Sequence, residues 1–238
     1  QRLTKGLPRG PTPSALTRRQ FSNRLAMKKS VYSRPNKPFF VSVQHRSSRD
    51  IPKALDHKKP LVIDKASECH VTPCSVAHRM VEYLGPPGDF CTLEPSAGTG
   101  ALVWTLLANG YPSEKICAIE RHHKLAAHVE TLGVPVIQTC FLTYAEEVKG
   151  RAEFQRIVMN PPFSKVLRHI EAAMSLLGQN GDSLPATLVA LVPVTFDHDE
   201  AETLETLPED TFSTCRVRTK VIRFIQDVDE GNRRERNR

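Results

Sequence analysis

The sequence has few of the features that mark membrane, metal-binding or disulfide-stabilised proteins. No apolar run approaches the roughly 18 residues that a membrane-crossing helix requires, and the chain has one Trp. No two Cys form a Cys-x-x-Cys pair and no His cluster matches them, so the spacing does not indicate a zinc site. Small buried thiols in a reducing compartment are the expected role. The six cysteines are Cys69, Cys74, Cys91, Cys117, Cys140 and Cys215.

Acidic residues are absent from the start of the chain. The first one is Asp50, and residues 1–49 hold 12 of the 33 Lys and Arg, which leaves 21 basic and 26 acidic residues for the remainder. Such an arm suits a phosphate-rich partner, because basic side chains release counterions from polyanions. A solvated tail and an organelle-targeting segment are the alternatives. We interpret 1–60 as a basic arm, 61–228 as one globular domain, and 229–238 as a basic tail.

Helix-like and strand-like segments alternate regularly from Thr72 onward, which is typical of a parallel sheet built from βαβ units. Thr72 is a good helix N-cap and Pro73 suits a first helical position, so a helix is expected through Tyr83. Further helices are predicted over 101–108 and 121–132, and a later one where Val166, Ile170, Ala173, Met174 and Leu177 fall on one helical face. Strands are predicted over 90–93, 116–119, 134–137, 156–159 and 186–194, with an isolated strand at 39–43 and a last antiparallel strand within 215–224.

A glycine-rich turn, Glu94-Pro95-Ser96-Ala97-Gly98-Thr99-Gly100, lies between the first core strand and its helix. Glycines at such a turn allow the backbone to approach a ligand closely, next to the partial positive charge of a helix N-terminus. The turn lacks the third glycine of the dinucleotide fingerprint and no Gly-Lys-Ser/Thr follows it, which argues against NAD and ATP. A tight turn that needs glycine for steric reasons alone is the alternative.

Glu120 ends the second core strand, about 20 residues after the turn. A carboxylate at this edge of a parallel sheet can accept both hydroxyl protons of a ribose. A solvated side chain is the alternative. Together with the glycine-rich turn, Glu120 indicates an adenosine-type ligand.

The tetrapeptide Asn160-Pro161-Pro162-Phe163 follows the fourth strand. Two prolines stiffen the turn, so that the Asn160 side-chain oxygen and the next backbone carbonyl can converge on one donor while the aromatic ring offers a stacking surface. An exocyclic amine on a planar ring has the matching chemistry. A strand-to-helix corner with proline as the helix start is the alternative.

The ordered set Val71-Thr72-Pro73, Leu93 to Gly100, Ile119-Glu120 and Asn160 to Phe163 resembles the S-adenosylmethionine-dependent amino-methyltransferases, especially the N6-adenine DNA methyltransferases. The resemblance covers about residues 68–195. It implies a Rossmann-like, doubly wound, seven-stranded and mostly parallel α/β sheet, the class I methyltransferase fold. It also implies S-adenosylmethionine as cofactor.

The resemblance assigns roles to individual residues. It implies that Thr72 and Pro73 contact the methionine tail and that Glu120 binds the ribose. Asn160, the Pro161 carbonyl, Pro162 and Phe163 would form the catalytic loop. The methionine and ribose pocket would be lined by Glu94, Ser96, Ala97, Gly98 and Gly100.

The chain departs from the family after the third strand, where an acidic residue usually binds the adenine amine and an aromatic residue follows. Cys140 and Phe141 stand there. Phe141 can still pack on the adenine ring, whereas a thiol is a poor acceptor. The expected consequence is weaker cofactor binding or a degenerate enzyme.

The expected reaction is methylation of the N6 amine of adenine in DNA, in the cytoplasm of a bacterial, phage or plasmid system. About 75 residues follow the catalytic loop, too few for a folded target-recognition domain, so a protein partner could supply specificity. The open alternatives are an RNA amino-methyltransferase, a protein glutamine methyltransferase and a non-catalytic binding module. No metal is expected.

Overall fold

The computed structural model describes residues 39–41, 61–63, 71–179, 184–212 and 217–226. Strands β1 (Phe39–Val41) and β2 (Leu61–Ile63) pair antiparallel with each other. The strand predicted as isolated is therefore one half of a two-stranded ribbon. The rest of the predicted arm and the tail at 229–238 lie outside the described residues.

The main body is one seven-stranded sheet in the order β5-β4-β3-β6-β7-β9-β8. Strands β3 to β7 are parallel, and β9 runs antiparallel between β7 and β8. The doubly wound, mostly parallel sheet predicted from the sequence is confirmed. The strands are β3 (Thr92–Glu94), β4 (Ile116–Ile119), β5 (Val136–Ile137), β6 (Arg156–Met159), β7 (Ala186–Pro193), β8 (Glu202–Leu207) and β9 (Thr219–Gln226).

Five α-helices cover the two faces of this sheet within the described ranges. They are α1 (Cys74–Leu84), α2 (Ala101–Ala108), α3 (His123–Glu130), α4 (Phe141–Val148) and α5 (Val166–Met174). Residues of α1, α2 and α3 belong to one apolar core and residues of α4 and α5 to another. Every residue of β7 is buried, and its side chains alternate between the cores: Val189 and Leu191 join the first, Leu188 and Ala190 the second. Such a strand suits the middle of a sheet that is covered on both faces.

Strands β2 and β8 and helix α4 were not predicted from the sequence. Strand β8 is an edge strand whose residues are mostly exposed or half-buried, so it lacks the apolar run that reveals a buried strand. Helix α4 buries two of its eight residues, Phe141 and Ala145, which is a weak periodic signal. Within the described ranges, no helix combines the length and apolar character that a membrane crossing needs.

The parallel strands end at one edge of the sheet. Because β5, β4, β3 and β6 are neighbours in that order, the segments that follow them meet side by side. These segments contain the glycine-rich turn, Glu120, Cys140 and the loop at Asn160. The candidate site lies at this edge.

Candidate functional site

A cavity of about 300 Å³ opens at the carboxyl edge of the parallel strands. This volume lies at the lower end of the range for small-molecule sites. Its wall comes from the segments that follow β3, β4, β5 and β6 and from the segment before α1. Of the predicted site residues, the wall contains Thr72, Ser96, Ala97, Gly98, Glu120, Cys140, Phe141, Asn160 and Pro162.

The glycine-rich turn is a backbone structure that requires glycine at two positions. Gly98 has φ +54° and Gly100 has φ +79°, the left-handed region that side chains with a Cβ rarely adopt. The Ala97 N–H donates to the Ile119 carbonyl at 3.0 Å, which ties the turn to the end of β4. A Cβ on Gly100 would also lie 2.9 Å from Cδ1 of Leu132. A side chain at Gly100 would therefore be unfavourable for two reasons, the positive φ of the backbone and the close contact with Leu132.

Glu120 is held by two backbone donors. Its Oε2 accepts the Gly98 N–H at 2.8 Å, and its Oε1 accepts the His122 N–H at 2.7 Å. A carboxylate has about four acceptor sites, so two bonds orient the group and leave it capacity for further donors. Glu120 also lines the cavity. This geometry is compatible with binding paired hydroxyl groups.

Glu94 is fully buried at the end of β3. Its Oε1 accepts the Ser96 N–H at 2.9 Å, and its Oε2 has no hydrogen-bond partner among the described residues. Burial raises the pKa of Glu94 to about 8, the negative charge of Glu120 adds to the rise, and the Ser96 N–H opposes it. The carboxyl is therefore largely protonated at neutral pH. A cation brought close to it would favour ionisation.

Thr72 and Asn160 form a hydrogen bond that the sequence did not predict. Nδ2 of Asn160 donates to Oγ1 of Thr72 at 3.1 Å. The prediction that Thr72 caps α1 is wrong: the N-cap is Pro73, whose carbonyl accepts the Val76 and Ala77 N–H groups. The Thr72 hydroxyl instead fixes the amide plane of Asn160. Because Nδ2 of Asn160 is bonded to Thr72, its acceptor Oδ1 lies on the opposite side of the amide group.

Phe163 turns away from the cavity. Its side chain is 2% exposed, and its ring meets Phe212 edge-on, with centroids 6.1 Å apart and planes at 78°. The Pro162 carbonyl accepts the Lys165 N–H at 3.0 Å, which begins the 3-10 turn Phe163–Lys165 ahead of α5. This turn directs the ring into the first core. A role for Phe163 in stacking stays a prediction.

Cys140 is the N-cap residue of α4. Burial by itself would raise the pKa of its thiol, but the nearby N–H groups of Thr143 and Leu142, the Thr143 hydroxyl and the charge of Arg121 together lower it. Its side chain makes no capping hydrogen bond to the first turn of α4, where oxygen side chains are the usual caps. Phe141 follows it and is buried beside the cavity.

Five predicted residues lie outside the cavity wall, and several wall residues were not predicted. The five are Pro73, Glu94, Gly100, Pro161 and Phe163, each of which is a chain neighbour of a residue that lines the wall. The new wall residues include Arg121, His122, Lys165 and His169. Position after a strand end could have indicated the first three, whereas His169 lies within a helix. Among the described residues, no three His, Cys, Asp or Glu side chains form a group that could hold a metal ion.

No protein-family model matches the sequence, and no curated protein matches it significantly. Solved structures are similar in fold. The type I restriction enzyme EcoKI M protein has a TM-score of 0.54 at 14% identity over 68% of this chain. The methyltransferase subunit of a type I restriction-modification system from Streptococcus thermophilus has a TM-score of 0.53 at 16% identity over 67% of this chain. The 23S rRNA methyltransferase ErmE has a TM-score of 0.53 at 16% identity over 68% of this chain.

These similarities concern the fold. The chain spans 45% of each of the two restriction-modification proteins and 71% of the rRNA methyltransferase. The strand order and the shared architecture confirm the Rossmann-like class I methyltransferase fold.

Proposed function

We propose that this chain is an S-adenosylmethionine-dependent methyltransferase that methylates the N6 amine of adenine in DNA. The observation that carries the proposal is the Asn160 amide, which Thr72 holds in the wall of the cavity at 3.1 Å. This cavity also contains Glu120, which the Gly98 N–H orients. An amine-binding oxygen and a ribose-binding carboxylate thus belong to one cavity.

The chain's own residues fit the cofactor. Oε2 of Glu94 is buried and lacks a partner among the described residues, which suits the ammonium group of the methionine part. Glu120 suits the ribose hydroxyls, and Phe141 and Leu125 give apolar surface for the adenine ring. When bound, S-adenosylmethionine supplies a methyl group on a sulfonium, which is a strong electrophile.

The task of the protein is then to position the amine. Oδ1 of Asn160 and the Pro161 carbonyl accept the two amine hydrogens, which concentrates the nitrogen lone pair toward the methyl group. The nitrogen–carbon bond would form as the sulfur–carbon bond of the sulfonium breaks, and the surplus proton on the positively charged nitrogen would pass to water, so no general base with a shifted pKa is needed. In a duplex the target base must leave the stack, and Phe163 is the proposed stacking partner once its ring turns outward.

DNA is the first substrate candidate because the Glu94 to Gly100 turn resembles the DNA enzymes most. RNA is the second candidate, since the chain spans 71% of an rRNA methyltransferase of similar fold. The 12 basic residues of 1–49 supply charge for a polyanion in either case. A protein partner for target recognition belongs to the same proposal.

The test is transfer of labelled methyl from S-adenosylmethionine to unmethylated DNA, total RNA and a protein extract in parallel. Wild type, Asn160→Ala and the control Asn109→Ala are compared, since Asn109 lies at the end of α2 outside the cavity wall. We expect N6-methyldeoxyadenosine by mass spectrometry, a loss of about 100-fold or more in Asn160→Ala, and little change in the control. Label in RNA selects the second candidate. Absence of cofactor binding would refute the enzyme proposal.

A further inference from the structure

Two basic residues next to the catalytic loop take no part in the proposed reaction. Lys165 ends the 3-10 turn that directly follows the loop, and Arg168 comes three residues later on α5. Both residues are exposed. Lys165 also belongs to the cavity wall. A residue that is both exposed and part of the wall lies at the mouth of the cavity.

The backbone of Lys165 is held on both sides. Its N–H donates to the Pro162 carbonyl at 3.0 Å. Its own carbonyl lies 3.0 Å from Nδ1 of His169, and because a carbonyl can only accept, this nitrogen is the donor. The side chain therefore starts from a fixed point beside the catalytic loop, while its long carbon stem is flexible. Such a side chain can reach a ligand that extends out of the cavity.

The stability of the helix does not account for this pair of cations. Side chains three residues apart at the start of a helix are neighbours, and like charges there repel each other. Acidic side chains are favourable at this end of a helix, yet the first turn of α5 has none. Within the part of the chain that the structure describes, neither Lys165 nor Arg168 forms an ion pair. Both positive charges are therefore open to an anionic partner.

The position of Lys165 favours the substrate strand over the cofactor as that partner. Another basic residue of the wall, Arg121, directly follows Glu120, the proposed ribose ligand. Lys165 instead belongs to the segment after β6, which also contains Asn160. A base whose amine is bound by Asn160 continues outside the cavity into the sugar and phosphates of its own strand. The anion that this geometry brings to the mouth beside Lys165 is a phosphodiester.

We propose that Lys165 and Arg168 bind the phosphodiester backbone of the substrate DNA strand beside the flipped adenine. This inference rests on the proposed function. Phosphate contacts carry no sequence information, but they fix the register of a strand on the protein. The two cations thus hold the strand at the mouth of the cavity while Asn160 holds the amine. The strand crosses the start of α5 in this arrangement.

The test is the salt dependence of binding of a fluorescein-labelled oligodeoxyadenylate to the full chain, measured by anisotropy with S-adenosylhomocysteine present. The double variant Lys165→Gln/Arg168→Gln is compared with the control Lys149→Gln/Arg151→Gln, which removes the same two charges from exposed positions outside the cavity wall. Each lost contact with a single strand lowers the slope of log K against log[KCl] by about 0.7. We expect the double variant to lose about 1.4 in slope and about tenfold in affinity near 0.1 M KCl, and the control to stay close to wild type.

Further measurements distinguish a contact with the strand from a structural role. The double variant should unfold at a temperature no lower than wild type does, because a repulsive pair is removed. Lys165→Arg, which keeps the charge, should retain the wild-type slope. In the methyl-transfer assay, KM for DNA should rise with little change in kcat, since the contact is made equally before and during the reaction.

The outcomes separate this inference from the proposed function. Equal slopes for the double variant and the control overturn the contact. A loss of affinity for S-adenosylhomocysteine in the double variant would assign Lys165 to the cofactor and overturn it as well. A lower slope with an oligoriboadenylate alone would overturn the assignment to DNA. In these three cases the cofactor class stands, whereas failure of wild type to bind S-adenosylhomocysteine refutes the proposed function, and the inference with it.

Discussion

Replacing Glu94 by Gln should remove a specific pH dependence of stability. The side chain is fully buried, and its pKa of about 8 in the folded protein stands against 4.5 for an ordinary glutamate. Between these values the unfolded chain loses the proton while the folded protein keeps it. The contribution of protonated Glu94 to the free energy of unfolding is therefore fully present at low pH and is lost as pH rises from about 4.5 to 8.

The magnitude follows from proton linkage. Each pH unit in that window lowers the free energy of unfolding by about 1.4 kcal/mol for one differentially bound proton. From pH 5 to pH 8, Glu94 alone accounts for about 3.5 kcal/mol, and its contribution becomes constant only about one unit above pH 8. Glutamine keeps the shape and can still accept the Ser96 N–H at the position of Oε1, but it cannot ionise.

Urea unfolding at pH 5, 6, 7 and 8 measures this effect. The difference between wild type and Glu94→Gln isolates Glu94 from the other titrating groups, and Glu130→Gln, which removes an exposed carboxylate, controls for the loss of a charge. The Gln variant should gain stability relative to wild type with every step toward pH 8. A constant difference across the series would refute the assignment of a neutral, buried Glu94.

Three further substitutions test the site. Thr72→Val removes the acceptor for Asn160 and should lower kcat about tenfold, whereas Thr72→Ser should restore it in the methyl-transfer assay. Gly100→Ala should lower the free energy of unfolding by about 2 kcal/mol, more than Gly133→Ala, which has a similar φ but no atom within 4 Å of the new Cβ; urea unfolding compares them. Cys140→Asp should stabilise the protein by about 1 kcal/mol in the same assay, because carboxylate oxygens cap helices well.

Each of these three predictions has an outcome that would contradict it. An unchanged kcat in Thr72→Val would mean that the hydrogen bond does not position Asn160 during turnover. Equal losses for Gly100→Ala and Gly133→Ala would assign the cost to backbone conformation and none to packing. A destabilised Cys140→Asp would show that burial of the carboxylate outweighs capping.

The parallel strands could be predicted because burial on both faces produces uninterrupted apolar runs between turn residues. The strands at 116–119 and 156–159 coincide with β4 and β6, and the helix over 101–108 coincides with α2. Strand β8 escaped prediction because an exposed edge strand has little apolar sequence. Its position is determined by pairing with β9, which is information that lies elsewhere in the chain.

Membership of the cavity wall could be predicted where a residue follows a strand end, as Gly98, Glu120 and Asn160 do. Predictions from local helix-capping propensity were wrong where a contact with a distant part of the chain competes with the local one. Thr72 is a good cap by composition, yet its hydroxyl accepts from Asn160, which lies 88 residues further along. Likewise, His169 enters the wall through packing on Phe141, and no spacing along α5 reveals that contact.

The position of β9 also governs the order in which the fold can be completed during synthesis. Strand β8 leaves the ribosome before β9, yet among the described strands it pairs only with β9. Until Thr219–Gln226 has emerged, β7 keeps an unpaired edge along eight residues that are all buried in the finished protein. An exposed apolar edge of this kind favours association between nascent chains. Shielding of this edge, for example by a chaperone, should therefore reduce such association for as long as β9 is missing from the sheet.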